Sequence, residues 1–315
     1  MTRSLKVLLV VCMGISTGWG FFGHQQINRL AVFSLPPQMI GFYKKNIRYL
    51  IETSTHPDER RYAVVDEAPR HFIDLDAYPD SLPKYWQEAV TRFGEDSLAK
   101  HGIVPWHVVR MYYRLREAFM LNDPVRILKV SAELGHYVGD AHVPLHTTRN
   151  YNGQLTGQIG IHGLWESRLP ELFFPDYDFY VGPASYVDNP TELIWKVIGE
   201  SHQAVDSVLR LERELAIDHI TRFSYESKGK QTIRVYDQSF SRKYHERLSG
   251  MVERRMRASV KMTADLWFTA WVDAGQPDLS GWMEKEPTPS ELQKRAEELA
   301  VWRKANFSRE EGDHH

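Results

Sequence analysis

Imidazole and carboxylate side chains are concentrated in one part of this sequence. Two segments, "HYVGD" from His136 to Asp140 and "HGLWE" from His162 to Glu166, each place a histidine four residues before an acidic residue. On a helix this spacing brings both side chains to one face, where they can bind one ion. Chance alone produces roughly two such pairs in a chain of this composition, so the spacing by itself is a weak indication of a metal site.

The density of these residues is a stronger indication than their spacing. Six candidate ligands fall within 31 residues, and Pro144 in "GDAHVPLH" ends the first helix so that a later histidine comes around beside it. Imidazole and carboxylate ligands without cysteine suit zinc, and also manganese or iron. The sequence therefore predicts a metal site. The six residues are His136, Asp140, His142, His146, His162 and Glu166.

Helices must position these residues, because apolar residues recur with helical periodicity along most of the chain. Strand-like alternation is limited to "TIRVYD", residues 232–237, and no Pro/Ser-rich linker divides the chain. We therefore predict an all-α fold, a single multi-helix domain with long loops and a metal site in a cleft. The predicted helices cover residues 25–34, 36–54, 82–94, 105–121, 123–140, 191–216 and 238–273, and the irregular stretches cover 54–70, 147–161 and 174–190.

The first eighteen residues are typical of a secretory signal peptide. A short basic start precedes the apolar stretch from Val7 to Ile15, which is too short to span a bilayer, and small residues lead up to Gly18. A retained anchor or a buried first helix is the alternative. We expect export to the periplasm or full secretion, with cleavage before Trp19. The domain prediction is a signal peptide at 1–18, a helical domain at 19–275 and a polar helical tail at 276–315.

Cysteine content and charge exclude several classes of function. Cys12 is the only cysteine, and cleavage would remove it, so thiolate zinc sites are excluded. Without the signal segment the chain carries 37 basic and 41 acidic residues, a balance that gives no basic footprint for nucleic acid, although bound cations could supply one locally. No other segment is apolar and long enough for a stable membrane span. No obligate protein partner is evident.

Four motifs occur in an order that resembles a known family. "WGFFGH" (19–24), "RHFID" (70–74), "GHYVGDAHVPLH" (135–146) and "HGLWE" (162–166) are similar to segments of the trinuclear zinc phosphodiesterases. That family comprises bacterial zinc-dependent phospholipase C and the S1/P1-type nucleases. The resemblance covers about residues 19–173. It implies an all-α fold with a trinuclear zinc site, three Zn²⁺ per chain, and hydrolysis of a phosphodiester.

The resemblance also implies a set of metal ligands. Trp19 would bind one zinc through its free amine and carbonyl oxygen, next to the His24 side chain. Asp140 would bridge this zinc to a second zinc, which also takes an upstream aspartate. The remaining ligands would be His71 and His136 on the second zinc, and His146, His162 and Glu166 on the third.

The upstream aspartate is either Asp58 or Asp66. Asp58 precedes His71 by 13 residues, close to the interval in the family, whereas Asp66 precedes it by only five. We favour Asp58, which could also orient or deprotonate the attacking water and is therefore the predicted catalytic residue. His142 is left outside the ligand set.

The resemblance implies that a zinc-activated hydroxide attacks phosphorus in line. Glu166 as the last ligand, and the loop "TTRNYNGQLTGQIGI" without the "GGN" of the nucleases, resemble the phospholipase branch. The spacing of Trp19 and His24 resembles the nuclease branch. We expect a phospholipase C-like enzyme acting on a phospholipid headgroup. The alternatives are an S1/P1-type single-strand nuclease or 3′-nucleotidase acting on nucleic acid, a different metallohydrolase such as a phosphomonoesterase, and a non-catalytic zinc-binding protein of the same fold.

The remaining histidines are predicted to have no part in the site. His202 and Asp206 share the four-residue spacing but lie on a polar helix, so we expect an ordinary surface pair. Four others are predicted to be surface residues or core residues with satisfied hydrogen bonds. They are His101, His107, His219 and His245.

Overall fold

The computed structural model describes residues 21–219, 221–228, 231–282 and 288–310, and these residues are mainly helical as predicted. The predicted signal segment and Trp19 lie outside the described residues. Within the described ranges the sheet structure is one antiparallel hairpin, β1 (Phe223–Lys228) and β2 (Gln231–Tyr236), of which only β2 was predicted. The helices are α1 (Phe21–Ala31), α2 (Pro37–Lys45), α3 (Ile47–Thr53), α4 (His56–Arg60), α5 (Trp86–Phe93), α6 (Glu95–Lys100), α7 (Val104–Met120), α8 (Pro124–Ala141), α9 (Ile161–Gly163), α10 (Leu169–Phe173), α11 (Pro190–Asp218), α12 (Gln238–Arg247), α13 (Met251–Asp273) and α14 (Pro289–Glu310).

Two predicted helices are interrupted, and one stretch predicted to be irregular contains a helix. The helix expected over 36–54 is interrupted at Asn46, which leaves the helical conformation between α2 and α3. The helix expected over 238–273 breaks before α13 because Ser249 and Gly250 both adopt positive φ angles, of 50° and 75°. The stretch 54–70, predicted to be irregular, contains α4, which has Pro57 in its first turn.

The antiparallel pair α7 and α8 forms the centre of the fold. α8 begins where the Asp123 carboxylate accepts a hydrogen bond from the backbone N–H of Arg126 (3.0 Å), with Pro124 at the first helical position. From Val130 to Ala141 every residue of α8 is buried. The C-terminal half of α8, which carries His136 and Asp140, therefore lies entirely within the protein.

α1 lies very close to α8 because α8 has glycine at two contact positions. A β-carbon added at Gly135 would lie 2.5 Å from Asn28 Oδ1, and one at Gly139 would lie 2.8 Å from His24 Nδ1. Real β-carbons essentially never approach other atoms so closely. Gly139 therefore creates the space that His24 occupies, and Gly135 creates the space for Asn28.

The later helices complete the core. α13 packs against α1, α7 and α8, and its fully buried Trp267 donates a hydrogen bond from Nε1 to the carbonyl of Ser131 on α8 (3.0 Å). The predicted tail helix is present as α14, which contacts α4: the Trp302 ring lies 5.4 Å from the His56 ring and 6.0 Å from the Arg60 guanidinium. Among the residues described, no helix combines the length and the apolar character that crossing a membrane requires.

Candidate metal centre

Eight of the nine predicted ligands lie in the described part of the chain, and the structure brings all eight together. They form three adjoining groups, and within each group the candidate ligand atoms lie within 4.8 Å of one another. Each group can hold a metal ion. The groups are His24, His136 and Asp140; Asp58, His71 and His136; and His146, His162 and Glu166.

The Asp140 carboxylate faces two of these groups with different oxygens. Its Oδ1 lies 3.4 Å from His24 Nε2, while its Oδ2 lies 3.0 Å from His71 Nδ1 and 3.3 Å from His136 Nε2. The four-residue spacing on α8 places His136 beside Asp140, as the sequence predicted. This geometry suits a carboxylate that bridges two ions.

Backbone carbonyls fix which nitrogen of each imidazole is free to bind an ion. His136 Nδ1 lies 2.8 Å from the carbonyl of Ser54, which only accepts hydrogen bonds, so Nδ1 carries the proton and Nε2 carries the lone pair. That lone pair points at the second group, 3.1 Å from His71 Nδ1. A carbonyl partner on the far nitrogen is the usual arrangement of metal-binding histidines.

The third group shows the same arrangement twice. His146 Nδ1 donates to the carbonyl of His71 (2.5 Å), and His162 Nδ1 donates to the carbonyl of Tyr151 (3.2 Å). The two Nε2 atoms then face each other at 3.2 Å, with Glu166 Oε2 only 2.6 Å from His162 Nε2. Two imidazole lone pairs at this distance repel each other unless a proton or a cation lies between them. The donor set therefore fits a metal ion.

The chain turn after α8 and an irregular helix assemble the third group. His146 follows the turn at Pro144 and lies beside the extended chain that begins at Phe72, where Ile73 N–H donates to the carbonyl of His146 (2.8 Å). Glu166 lies in a π-helical turn, Leu164–Arg168, between α9 and α10. Such turns are frequent at functional sites because they re-aim one side chain within a helix.

The buried charges of the site are set by its carboxylates. Burial alone would lower the pKa of His24, but Glu166 and Asp140 raise it to about 9, and the same two carboxylates raise the pKa of His146 to about 9 against its burial. Burial would raise the pKa of the Glu166 carboxyl, but His146 and His162 lower it well below its usual range. The Asp140 and Glu166 carboxylates are therefore ionised at neutral pH, and a metal ion must displace protons from the His24 and His146 imidazoles.

Asp58, and not Asp66, lies next to the second group. Asp58 Oδ1 is 3.6 Å from His71 Nδ1 and 3.7 Å from His136 Nε2, and the side chain is partly exposed to solvent. Asp66 is exposed and belongs to none of the three groups. His142, although buried, also belongs to none; its Nδ1 donates to the carbonyl of Val138 (2.7 Å).

A buried network of ion pairs lies beneath the second group, and the sequence patterns did not predict it. Glu67 Oε1 lies 3.6 Å from His71 Nε2, the nitrogen opposite the metal-facing one, and Glu67 also accepts a hydrogen bond from Arg60 Nε (2.8 Å). Arg60 reaches across to Glu133 on α8 (2.6 Å). Burial would raise the pKa of Glu67, but His71 and Arg60 lower it far below its usual range. The four-residue spacing of Glu67 and His71 is the one sequence feature that could have indicated this contact.

An open cavity of about 610 Å³ adjoins the third group. His146 and His162 form part of its wall, together with Tyr151. Its lining also includes three cationic side chains. One of them, Arg149, forms an ion pair with Asp76 (Nε to Oδ1, 3.8 Å). The other two, Arg61 and Lys100, have no ion-pair partner in the described ranges. The three cations are Arg61, Lys100 and Arg149.

Two of the histidines predicted to be ordinary residues differ from expectation. His202 is half-buried and its Nδ1 lies 3.0 Å from the carbonyl of Thr147, while Asp206 contacts Arg210 instead, so the predicted surface pair does not form. His107 is buried, but neither ring nitrogen has a hydrogen-bond partner among the residues described, so it is not a satisfied core residue.

Neither a protein-family model nor a curated protein matches the chain. The resemblance to the trinuclear zinc phosphodiesterases therefore stays a prediction that rests on the motifs and on the ligand groups they mark.

Proposed function

We propose that the chain is a zinc-dependent phosphodiester hydrolase of the phospholipase C type, with three zinc ions. One observation carries the proposal: three adjoining groups of imidazole and carboxylate ligands lie beside an open cavity whose lining includes three cations. A protein that only stored or sensed zinc would not need such a cavity next to its ligands. Imidazole and carboxylate ligands without thiolates suit zinc, manganese or iron, and among these the resemblance to the trinuclear zinc phosphodiesterases favours zinc.

Bound zinc would supply Lewis acidity toward phosphoryl oxygens and a nucleophilic water at neutral pH. The side chains of the protein do the rest. Arg61 and Lys100 attract and orient the phosphodiester anion in the cavity. Asp58 is the most exposed of the three predicted carboxylate ligands, so it is the carboxylate best placed to take a proton from the attacking water. Asp140 and Glu166 stay ionised and would hold the metal ions.

A nuclease of the S1/P1 type is the second candidate. The specific observation in its favour is that two flat aromatic side chains, Phe72 and the exposed Tyr151, line the same cavity as the cations. Aromatic side chains beside cationic ones are typical of surfaces that bind single-stranded nucleic acid by stacking. A non-catalytic zinc-binding protein of the same fold is the third candidate.

Zinc content and a comparison of substrates test the proposal together. We expect about three zinc ions per chain, hydrolysis of a chromogenic phosphodiester, and faster release of the phosphorylated headgroup from phosphatidylcholine than cleavage of single-stranded DNA or RNA. Zinc binding without hydrolysis of any of these substrates would favour the non-catalytic zinc-binding protein. Faster cleavage of the oligonucleotide than of phosphatidylcholine would favour the nuclease. Faster hydrolysis of a phosphomonoester than of either diester would reject both the phospholipase and the nuclease.

A further inference from the structure

The loop 148–160 contributes no residue to the three ligand groups, but it orients one of the candidate ligands. The carbonyl of Tyr151 accepts the hydrogen bond from His162 Nδ1 (3.2 Å), and His162 Nε2 then faces Glu166 Oε2 at 2.6 Å. A partner on the far nitrogen fixes the rotation of a metal-binding imidazole. The position of this loop therefore determines where the free nitrogen of His162 points.

One buried side chain anchors the loop to α11. Gln158 donates from Nε2 to the carbonyl of Leu209 (2.7 Å) and to Oε2 of the Glu212 carboxylate (2.5 Å). The carbonyl of Gln158 accepts a hydrogen bond from Ile161 N–H (3.1 Å), at the residue that begins α9 and directly precedes His162. Gln158 therefore links α11 to the part of the chain that carries His162.

The partner of Gln158 is a carboxylate that solvent does not reach, since Glu212 is 0% exposed. Its Oε1 forms an ion pair with Arg222 (2.6 Å) and accepts a hydrogen bond from the Tyr236 hydroxyl (3.3 Å), which leaves Oε2 for Gln158. A buried ion pair contributes little more stability than apolar residues of the same size would. Hydrogen bonds to a charged acceptor are nonetheless stronger than those between neutral groups, so Glu212 holds Gln158 firmly in one place.

We propose that Glu212 is a positioning residue for the third metal group. It holds Gln158 in place, and Gln158 holds the loop 148–160. The loop in turn presents the Tyr151 carbonyl that orients His162. The inference rests on the metal centre of the proposed function. It adds that α11, which supplies no residue to the three groups, controls the affinity of the protein for one of the ions.

Zinc affinity tests this role separately from catalysis. The variant Glu212→Gln keeps the size of the side chain, but it has one oxygen where the carboxylate has two, so it cannot accept from Arg222 on one side and from Gln158 on the other. The variant Gln158→Met removes the link but keeps the ion pair of Glu212, so it decides the question even if Glu212→Gln does not fold. The zinc retained per chain is measured while each zinc-loaded protein is titrated with a chelator.

Two controls separate positioning from a general loss of stability. Asp265→Asn also converts a buried carboxylate to an amide, and Asp265 forms an ion pair with Lys261 but belongs to none of the three groups. The double variant His162→Ala/Glu212→Gln should lose no more zinc than His162→Ala alone, because both substitutions act on the same ion.

We expect one of the three zinc ions to bind at least about tenfold more weakly in Glu212→Gln and in Gln158→Met, with the other two retained as in the unaltered protein. The Asp265→Asn control should keep all three. Unchanged affinity for this ion in either variant, equal weakening of all three ions, or the same loss in the control would overturn the role of Glu212. Zinc binding that depends on Gln158, without hydrolysis of any phosphodiester, would instead reject the proposed function and leave the positioning role.

Discussion

At the scale of single residues, the two nitrogens of each metal-facing histidine have different tasks. In His146 and His162 the Nδ1–H is committed to a backbone carbonyl, which orients the ring and leaves the Nε2 lone pair for an ion. Removal of the His162 imidazole therefore removes one ligand, and the backbone hydrogen bond lost with it is to Tyr151, which belongs to none of the three groups. The effect of such a change should be confined to one group.

The substitution His162→Ala should remove one zinc ion, so that the content falls from about three per chain to about two. The third group would keep only His146 and Glu166, which is too few protein ligands for tight binding. Metal analysis after dialysis measures the loss. His219→Ala is the control, because His219 contacts Ser239 and lies outside all three groups. A stoichiometry unaffected by His162→Ala would refute the assignment of this group.

The sequence predicted that eight described residues would lie together, and they do, because their histidine and carboxylate spacing follows the local helical geometry. It could not predict His107, whose lack of hydrogen-bond partners depends on Tyr137 packing edge-on against its ring from another helix. It also missed the buried Arg60, whose partner Glu133 lies 73 residues away. Burial and long-range pairing are decided by tertiary packing, which no local pattern records.

At the scale of elements, the distance between α1 and α8 decides whether His24 can reach Asp140. Gly139 lies directly under the His24 ring, and Gly135 lies under Asn28. A helix interior normally disfavours glycine, since alanine is more stable there by about 0.5–1 kcal/mol. The two glycines of α8 thus lower the stability of the helix slightly but allow closer contact with α1.

Gly139→Ala should displace the His24 ring and weaken metal binding at the first group by at least about tenfold, with a loss of stability of about 1–3 kcal/mol. Competition with a chelator and urea unfolding measure the two effects. Gly199→Ala on α11 is the matched control, because nothing lies within 4 Å of an added β-carbon there. The control should be neutral or slightly stabilising, and a similar outcome for Gly139→Ala would contradict this account.

The short helix α4 depends on its ion pairs for its position. Arg60 connects α4 to Glu67 and to Glu133 on α8, in the same helix that carries Asp58. Arg60→Met would leave the buried Glu133 without its cation and Glu67 with Arg70 alone, so we expect a loss of about 3 kcal/mol in the free energy of unfolding. Urea unfolding measures it.

The control for Arg60 is Arg92→Met, which breaks the exposed ion pair with Asp80. An exposed pair contributes about 1 kcal/mol or less. If the two substitutions lower the free energy of unfolding by the same amount, the buried network does not hold α4 in place. The sequence could not have separated the two arginines, because each lies in a polar stretch and only the fold buries one of them.

At the scale of the whole molecule, His107 makes the fold sensitive to acid. Burial, and then the nearby Arg70, hold the pKa of His107 well below its usual value of 6.5. Below about pH 6.5 the unfolded chain therefore binds a proton at this residue that the folded protein does not bind. Stability falls as the pH decreases, by up to about 1.4 kcal/mol per pH unit from this residue alone.

His107→Leu should remove this part of the acid sensitivity. We expect the unfolding free energy of the variant to decrease less than that of the unaltered protein between about pH 6.5 and pH 5. Urea unfolding of both proteins in the presence of a chelator measures the difference, since the metal ligands then titrate equally in both. Parallel curves over this range would show that His107 titrates normally.

The placement of α13 has a consequence for how the protein is made. Every described ligand precedes residue 167, yet α13 is the helix that packs against α1, α7 and α8 together, with Trp267 bonded to α8. A nascent chain that ends before Met251 contains all of these ligands without the helix that clamps their carriers. The elements that carry the candidate ligands therefore reach their final packing only after α13 has been made, so we expect a metal ion to be retained only once synthesis has passed Asp273.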